Sequence, residues 1–233
     1  SRESPGNSAL LSRSERTALP YVLVAGKIIP FGRAGAPLSR SPESSARAAA
    51  RSFDAELVVA ARAGDLVAKE GLYRRYVERV TGLAFRLLGR DTDLEDVVQD
   101  SFIYAYSHLD RLEQPAVFWS WLSSIVTGTA ISTLRRRRLL RRLGLIRAEP
   151  VSLEFLVAAS APPDVAAELH AVYRIVDTLP AEERVMLLLR RVEQLPLETI
   201  AEQTGRSLAT VKRKLTKAEA RLRAAFAYGP EAT

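Results

Sequence analysis

The stretch PLETIAEQTGRSLATVKRKLTKAEARL, from Pro196 to Leu222, combines a helix start, a glycine break and a second helix. Pro196 suits the first turn of a helix, because an N–H at that position has no partner within the helix. Gly205 supplies the left-handed backbone that ends this helix, and the Ser207 hydroxyl can cap the next one. The second helix carries an apolar stripe at spacings of three and four: Leu208, Val211, Leu215, Ala218 and Leu222. The pattern predicts a helix-turn-helix in which this stripe packs against the domain.

The remaining surface of the second helix is basic. A helix enters the major groove of DNA when its back is anchored and its N-terminal half carries short polar and long cationic side chains. Thr210 and Arg213 are the candidates for contacts to base edges. Arg206, Lys212 and Lys214 are candidates for phosphate contacts, which position the protein without reading sequence. The alternative is a plain helical hairpin with a solvated basic face, which spacing alone does not exclude.

The net charge of +7 is concentrated in two places. Segment 135–142, RRRRLLRR, contributes six positive charges, segment 206–217 contributes five, and the rest of the chain therefore carries −4. Two separate basic stretches indicate a partner that offers phosphate backbone at two sites. Since solvated faces usually mix charges of both signs, nucleic acid is the favoured partner.

Segment 118–142 reads FWSWLSSIVTGTAISTLRRRRLLRR, in which aromatic residues after a proline loop lead along one helix to the arginines. Aromatic rings beside a cationic track can hold an unstacked base of single-stranded DNA. Trp119 and Trp121 could equally belong to the core, and Trp121 is assigned to it. Both interpretations stay open on the sequence alone.

A third element begins at Thr92, where TDLE forms a capping box: Thr92 can cap the helix while Glu95 reaches back to the same turn. Asp93, Asp96 and Asp100 follow one another at i, i+3 and i+7 on one helix face. Such carboxylates could hold a divalent metal, as in a metal-dependent nuclease. Ligands from other elements and a pocket would also be needed, so a protein-binding or solvated acidic face is favoured.

The composition excludes several classes of protein. Without cysteine there is no disulfide framework, no cysteine-ligated metal and no cysteine nucleophile. The two histidines, His108 and His170, are far apart, so we expect no catalytic residue, no metal site and no cofactor. No uninterrupted apolar run approaches the roughly 18 residues of a membrane span. The expectation is a cytoplasmic protein that is not an enzyme and does not insert into membranes.

Two helical regions are flanked by segments of different composition. The N-terminal segment is rich in Ser, Arg, Pro, Gly and Ala and is predicted to be a mostly disordered extension, although its apolar island 21–31 could be a short docking strand. We predict an all-α fold of two small helical domains joined by an extended linker, the C-terminal one a helix-turn-helix. The predicted segments are the extension 1–51, the first domain 52–142, the linker 143–166, the second domain 167–228 and the tail 229–233.

These elements, in this order, resemble those of the extracytoplasmic-function (ECF) sigma factors of bacterial RNA polymerase. LEDVVQDSFIYAY (94–106) is similar to the family's helix that grips the polymerase clamp. Segment 118–138 is similar to the following helix, which captures and melts the −10 promoter element. Segment 176–222 resembles the −35-reading domain nearly end to end, and the whole resemblance covers about residues 54–228.

The resemblance implies three binding surfaces. The implied RNA polymerase-binding residues are Asp93, Asp96, Gln99 and Asp100. The implied residues for single-stranded −10 DNA are Gln114, Val117, Phe118, Trp119, Arg135, Arg136, Arg137 and Arg138. Those for double-stranded −35 DNA are Arg206, Ser207, Thr210, Lys212, Arg213, Lys214 and Lys217. The implied partners are core RNA polymerase, promoter DNA, and an anti-sigma factor that should cover the acidic helix and the recognition helix.

Two positions depart from the family's pattern: Gly128, where an Asn is common, and Ser132, where an Asp is common. A lost amide removes a donor and an acceptor that could meet a base, so −10 specificity is expected to be relaxed or unusual. One alternative is a stand-alone helix-turn-helix regulator, which leaves the acidic helix and the FWSWL segment without a purpose. Another is a sigma-like decoy that binds polymerase without initiating transcription. The departures at Gly128 and Ser132 are the reason for keeping this alternative.

Overall fold

The fold is taken from a computed structural model, which describes residues 21–24, 27–30, 43–89, 93–146 and 173–227. The predicted tail and the linker beyond residue 146 lie outside the described residues, as does Thr92 of the predicted capping box. Within the described ranges both domains are helical, so the all-α prediction is confirmed.

The predicted extension 1–51 contains regular structure in two places. Strands β1 (Tyr21–Val24) and β2 (Lys27–Pro30) form an antiparallel hairpin, with Tyr21 opposite Pro30, where a single docking strand was considered. Helix α1 (Glu43–Arg62) begins ahead of the predicted domain boundary at residue 52. These segments have regular structure, and the other residues before Glu43 lie outside the described ranges, so disorder of the extension stays a prediction.

Four helices build the first domain: α1, α2 (Leu66–Leu88), α3 (Leu94–Ser107) and α4 (Phe118–Arg142). Asp65 fixes the start of α2, because its carboxylate accepts hydrogen bonds from the backbone N–H groups of Val67 and Ala68 at 2.8 and 3.3 Å. Gly89 ends α2 in the left-handed conformation, at φ 67°. The apolar faces of these helices meet in a core that includes Leu72, Val80, Phe118, Leu122 and Val126.

The second domain contains helical residues 173–178 and helices α5 (Ala181–Arg191), α6 (Leu197–Thr204) and α7 (Leu208–Ala227). The predicted helix-turn-helix is confirmed. Gly205 ends α6 at φ 61°, and Pro196 lies at the N-cap, just ahead of the first turn. Four residues of the predicted stripe are buried, and Leu208 is partly exposed; the buried four are Val211, Leu215, Ala218 and Leu222.

The two domains pack directly against each other. Arg184 of α5 is only 2% exposed, and its guanidinium donates to the carbonyl oxygens of Leu87 and Leu88 at 3.0 and 2.6 Å. These carbonyls form the C-terminal end of α2, where the helix dipole favours a cation. A second bond joins α6 to α4, since Gln203 Nε2 donates to Ser123 Oγ at 2.9 Å. The sequence predicted two linked domains but not this contact.

Helix α4 contains a long apolar stretch. With the preceding turn, Pro115–Arg142 has the length and composition of a membrane-crossing helix, although the sequence contains no uninterrupted apolar run of that length. Nearly half of its most apolar window is buried inside the protein, and it supplies core residues to the first domain. These are properties of a core helix.

Candidate nucleic-acid and polymerase interfaces

The recognition helix α7 presents a basic surface opposite its buried stripe. Lys212, Arg213 and Lys217 are exposed, and Thr210 is half-exposed near the N-terminal end. Lys214 is less accessible than these cations, because it leans toward α5. The arrangement fits the predicted DNA-reading surface: an anchored back, a polar N-terminal turn and cations along one side.

Ser207 has a structural task within this surface. Its Oγ accepts a hydrogen bond from the backbone N–H of Thr210 at 3.3 Å and lies 3.0 Å from Thr210 Oγ1. The Ser207 hydroxyl therefore caps α7 and orients the side chain of Thr210. Sequence reasoning assigned Ser207 both the cap and a DNA contact, and the structure shows the cap.

A single carboxylate collects three of the predicted DNA-binding cations. Glu182, in the first turn of α5, binds Lys214 Nζ at 2.9 Å, Arg206 Nη2 at 2.7 Å and the guanidinium of Arg135 from α4. Burial opposes ionisation of Glu182, but hydrogen bonds and charge from Lys214 and Arg206 outweigh burial and lower the pKa of its carboxyl. Sequence analysis missed Glu182, because an acid in the first turn of a helix is ordinarily explained by the helix dipole.

The acidic face predicted on α3 is present, with an apolar continuation. Asp96, Gln99 and Asp100 are exposed on one side of the helix. Ile103 and Tyr104 extend the same face toward its C-terminal end and are 57% and 47% exposed. Sequence analysis omitted these two residues, although they follow Asp100 at spacings of three and four, which place them on the same face of the helix. An exposed face that mixes acids with large apolar side chains is typical of a protein-binding surface.

Asp93, the fourth residue predicted to bind polymerase, faces inward. Its carboxylate pairs with the guanidinium of Arg137, which was predicted to contact the −10 strand. Their side chains are only 17% and 9% exposed, so neither is presented to a partner. The pair fixes the start of α3 to the C-terminal half of α4, and Asp93 occupies the N-cap position without a capping hydrogen bond. In this structure, therefore, neither side chain is placed for its predicted contact.

The pairing of Asp93 with Arg137 also removes one of the three carboxylates on which the nuclease alternative was based. The Asp93 carboxylate binds Arg137, and Asp96 and Asp100 remain as two exposed acids on one helix. Across the described ranges, no group of three or more His, Asp or Glu side chains lies close enough to hold a metal ion.

Phe118 belongs to the core of the first domain. It is fully buried, with ring centroids 5.2 Å from Tyr76 and 6.1 Å from Trp121. Trp119 is half-buried: the Tyr76 ring is nearly parallel to it with the centroids 5.7 Å apart, and the Arg79 guanidinium lies over the Trp119 ring, 3.9 Å from its centroid. Phe118 is therefore not presented to a base in this structure, and one face of the Trp119 ring is already covered by the Arg79 guanidinium.

A cleft beside the predicted base-capturing loop does have an aromatic wall. It has a volume of roughly 680 Å³, and Gln114, Val117 and Trp121 line it from the first domain. Gln114 and Val117 were predicted at this site. Trp121 was assigned to the core; it is half-buried and packs against the core, and it also lines this cleft. The opposite wall comes from the second domain, through Glu202 and Gln203 of α6.

At the arginine-rich end of α4, some side chains are exposed and others form ion pairs with described residues. Arg136 and Arg138 are exposed, as predicted for contacts to a DNA strand. Arg135 binds Glu182, and Arg137 binds Asp93.

Gly128 and Ser132 occupy the exposed side of α4. A Cβ added to Gly128 would meet nothing within 4 Å, so packing does not require glycine there. Ser132 Oγ donates to the Gly128 carbonyl oxygen at 3.0 Å, a bond within the same helix. The departures from the family's pattern therefore leave open space where a longer amide side chain would project.

Replacing Gly128 by alanine is expected to stabilise the chain by about 1 kcal/mol, because glycine in a helix interior loses more backbone entropy on folding. Thermal denaturation should show a Tm higher by about 2–4 °C. Gly205→Ala is the matched control and should lower the Tm, since φ is 61° at that position. An unchanged or lower Tm for Gly128→Ala would contradict this reading of α4.

A helical bundle with an acidic exposed face, joined to a basic helix-turn-helix, is an arrangement typical of a helical DNA-binding protein. Residues 72–139 match the family described as Sigma-70 region 2, and residues 169–222 match Sigma-70, region 4. These two segments cover the helices that carry the three candidate surfaces.

The curated relatives of this chain identify its family within the sigma-70 class. The ECF RNA polymerase sigma-E factor of Haemophilus influenzae is 30% identical over 181 residues, which cover 71% of this chain and 90% of the relative. The ECF RNA polymerase sigma factor SigE of Mycolicibacterium smegmatis is 31% identical over 159 residues. That alignment covers 65% of this chain and spans 59% of the relative's length. The chain belongs to the ECF sigma factors of RNA polymerase.

A solved structure supports the fold. The sigma factor RpoE of Bartonella quintana, determined in complex with the anti-sigma factor NepR, is 22% identical, with a TM-score of 0.52. The match covers 66% of this chain and 94% of that one, so the fold is shared over nearly the whole of that protein.

Proposed function

We propose that this sigma factor docks on core RNA polymerase through the exposed face of α3, reads the −35 duplex with α7, and captures an unstacked −10 base in the cleft lined by Trp121. The observation that carries the proposal is the order of three surfaces on one chain: an acidic–apolar helix, an aromatic cleft leading to arginines, and a basic recognition helix. The protein acts in the cytoplasm by binding, without catalysis of its own.

The −35 element is read from the N-terminal half of α7. Thr210, oriented by the Ser207 cap, and Arg213 are placed for base edges in the major groove. Lys212 and Lys217 are exposed on the same helix and suit phosphate contacts, which set the register without reading sequence.

The −10 base is held by the cleft rather than by Phe118. Base stacking on an aromatic side chain contributes about 1–3 kcal/mol, which offsets an unstacking cost of a few kcal/mol per base. Trp121 provides the aromatic wall, Gln114 provides an amide, and Val117 is exposed at the rim. Arg136 and Arg138 then guide the strand along α4.

An anti-sigma factor is a further proposed partner. The Bartonella quintana relative forms such a complex, and this chain offers two surfaces whose coverage would block function: the α3 face and the recognition helix. A bound anti-sigma protein should slow amide hydrogen exchange in both α3 and α7. Protection of only one helix would contradict the proposed mode of inhibition.

In vitro transcription with bacterial core polymerase on a promoter library tests the proposed function. We expect new start sites preceded by two shared motifs at a fixed spacing, present only when the chain is added. Binding to core polymerase without new transcripts would instead indicate the decoy. Absence of binding to core, with retained DNA binding, would indicate the stand-alone regulator.

Arg213→Ala is expected to reduce transcription from the selected promoters by about ten- to hundredfold, because a bidentate base contact is worth about 1–3 kcal/mol of discrimination. The effect of Arg213→Ala on transcription should largely disappear on templates whose −35 motif is scrambled, since Arg213 makes no base-specific contact to those templates. Arg223→Ala, an exposed site in the C-terminal half of the same helix, is the charge-matched control. An equal loss on intact and scrambled templates would show that Arg213 contacts phosphate only.

A further inference from the structure

A basic cavity of roughly 210 Å³ lies between the C-terminal half of α4 and residues 177–184 of the second domain. Four arginines and one carboxylate line it, and most of the other lining residues are apolar. The charged residues are Arg137, Arg138 and Arg141 of α4, Arg184 of α5, and Asp177. The cavity is separate from the cleft beside Trp121, because the two share no lining residue.

Arg137 brings buried hydrogen-bond donors to this cavity. Its side chain is 9% exposed, and its Nε pairs with the Asp93 carboxylate. Nη1 and Nη2 of the same guanidinium are buried and have no hydrogen-bond partner among the described protein groups. Nε of Arg141 is also buried without such a partner, while its Nη1 donates to Asp177 Oδ2 at 3.3 Å. Because buried polar groups in proteins are nearly always hydrogen-bonded, these donors indicate a site for an acceptor.

The charge around the cavity favours an anion. Arg184 contributes its positive charge, although its N–H groups already bind Asp177 and the carbonyl oxygens at the end of α2. The four lining arginines, set against the carboxylates of Asp177 and Asp93, leave a net charge of +2. An excess of buried positive charge costs free energy unless an anion balances it.

The start of α5 adds to this preference. Ala181, the first residue of α5, lines the cavity, and Pro180 before it provides no side-chain cap. The N-terminal end of a helix carries partial positive charge and backbone N–H groups without a partner in the helix, which suit an anion. Glu182 and Glu183 of the same turn pair with cations that do not line the cavity.

The size and charge of the cavity suit one phosphate group. Its volume lies below the range of about 300–1,000 Å³ that is typical of sites for drug-sized ligands, so it suits a small ligand rather than a nucleotide. A phosphate group carries about −1.5 to −2 charges at pH 7, which matches the local excess better than a singly charged carboxylate does. Arginine binds phosphate oxygens through pairs of N–H groups, and Arg137 offers such a pair at Nη1 and Nη2.

We propose that this cavity binds a single phosphate group, belonging either to inorganic phosphate or to a small phosphate monoester. Arg137 and Arg141 donate to the phosphate oxygens, while Arg184 and the start of α5 supply favourable charge. The exposed Arg138 lies at the rim, where the rest of a monoester would extend. Because the ligand lies between α4 and α5, it stabilises the packing of the two domains. The inference does not rest on the proposed function, since it uses only the burial and charge of these residues.

Isothermal titration calorimetry of the full chain with sodium phosphate, in chloride buffer of constant ionic strength, tests the site. We expect one saturable site per chain, and a Tm higher by about 3–5 °C when phosphate is at about ten times its dissociation constant. Titration with glycerol 3-phosphate distinguishes the two sources, because the natural ligand class should bind more tightly. Absence of saturable binding at millimolar concentrations of both compounds would overturn the proposal.

Three variants locate the bound phosphate. Arg141→Gln removes one cation and the buried Nε donor, and it should weaken phosphate binding by at least about tenfold. Arg137→Lys keeps a cation for Asp93 but removes the Nη pair, so it should also lose at least about tenfold; it decides the matter if Arg141→Gln does not fold. Arg142→Gln is the charge-matched control at the next position, exposed and outside the lining, and should lose less than about twofold. Equal affinities of all three variants would place phosphate on another basic surface and refute the site.

Binding to DNA separates a small ligand from the phosphate backbone of the promoter. Arg141→Gln and Arg142→Gln are titrated against labelled promoter DNA with an unpaired −10 segment, in phosphate-free buffer. We expect Arg141→Gln to weaken DNA binding no more than Arg142→Gln does, because the cavity serves a small ligand. A larger loss for Arg141→Gln, without saturable phosphate binding, would assign the cavity's cations to DNA and overturn the proposal.

Discussion

Replacing Arg184 by methionine is expected to separate the two domains. The guanidinium donates to the carbonyl oxygens of Leu87 and Leu88 and binds Asp177 Oδ1 at 2.6 Å, all while almost fully buried. Methionine matches much of the volume but donates no hydrogen bond, so two carbonyls at the end of α2 lose their donor. Each unsatisfied buried group costs about 1–3 kcal/mol, and the chain avoids that cost by exposing the carbonyls to water.

A shift of about 3 kcal/mol toward molecules with separated domains lowers the ratio of packed to separated molecules by more than a hundredfold. Ser123→Cys and Gln203→Cys introduce one cysteine on α4 and one on α6, at positions whose side chains are in contact. The rate of crosslinking between these two cysteines should fall as the domains separate, and the radius of gyration in X-ray scattering should rise. Arg174→Met, at an exposed position in the same domain, is the control and should change neither quantity. Unaltered crosslinking in Arg184→Met would show that other contacts hold the domains together.

Local patterns of sequence were enough for the helix-turn-helix and for the exposed acids of α3. A stripe at spacings of three and four, a glycine at φ 61° and a serine cap act within a few residues of one another, so neighbouring residues determine them. The family resemblance then supplied the order of the domains and the three surfaces.

Contacts between residues distant in the chain were not predictable in this way. Asp93 and Arg137 were assigned to different partners, yet they pair with each other because α3 and α4 pack side by side. Glu182 meets Arg135 across the domain interface, and nothing in either local sequence specifies that encounter. An ion pair of this kind depends on helix packing, which periodicity does not describe.

The burial of Phe118 and the position of Trp121 beside the cleft could have been predicted from the sequence. Phe118, Leu122, Val126 and Ala130 recur every fourth residue, and all four are buried. Trp121 stands one position before Leu122, at the edge of that buried stripe, where a large ring can be half-exposed. A helical projection of α4 would have placed Phe118 in the core and left Trp121 for the cleft.

Charge reversal on the α3 face is expected to abolish binding to core RNA polymerase. Asp96 and Asp100 are exposed beside Ile103 and Tyr104, so the proposed interface combines apolar contact area with carboxylates that need cationic partners. Arginine at both acidic positions would place like charges opposite those partners, at a cost of several kcal/mol. Neither side chain has a structural ion pair among the described contacts, so the fold should survive the change.

The double variant Asp96→Arg with Asp100→Arg should bind core polymerase at least about a hundredfold more weakly, a loss of roughly 3 kcal/mol. Fluorescence anisotropy of a labelled chain titrated with core measures this directly. Asp110→Arg, an exposed acid in the turn after α3, controls for added positive charge and should change binding less than about threefold. The double variant should keep or increase its affinity for −35 duplex DNA, because the recognition helix is unaltered and the net charge is more positive. Loss of DNA binding together with core binding would mean misfolding, whereas unchanged core binding would move the polymerase interface away from α3.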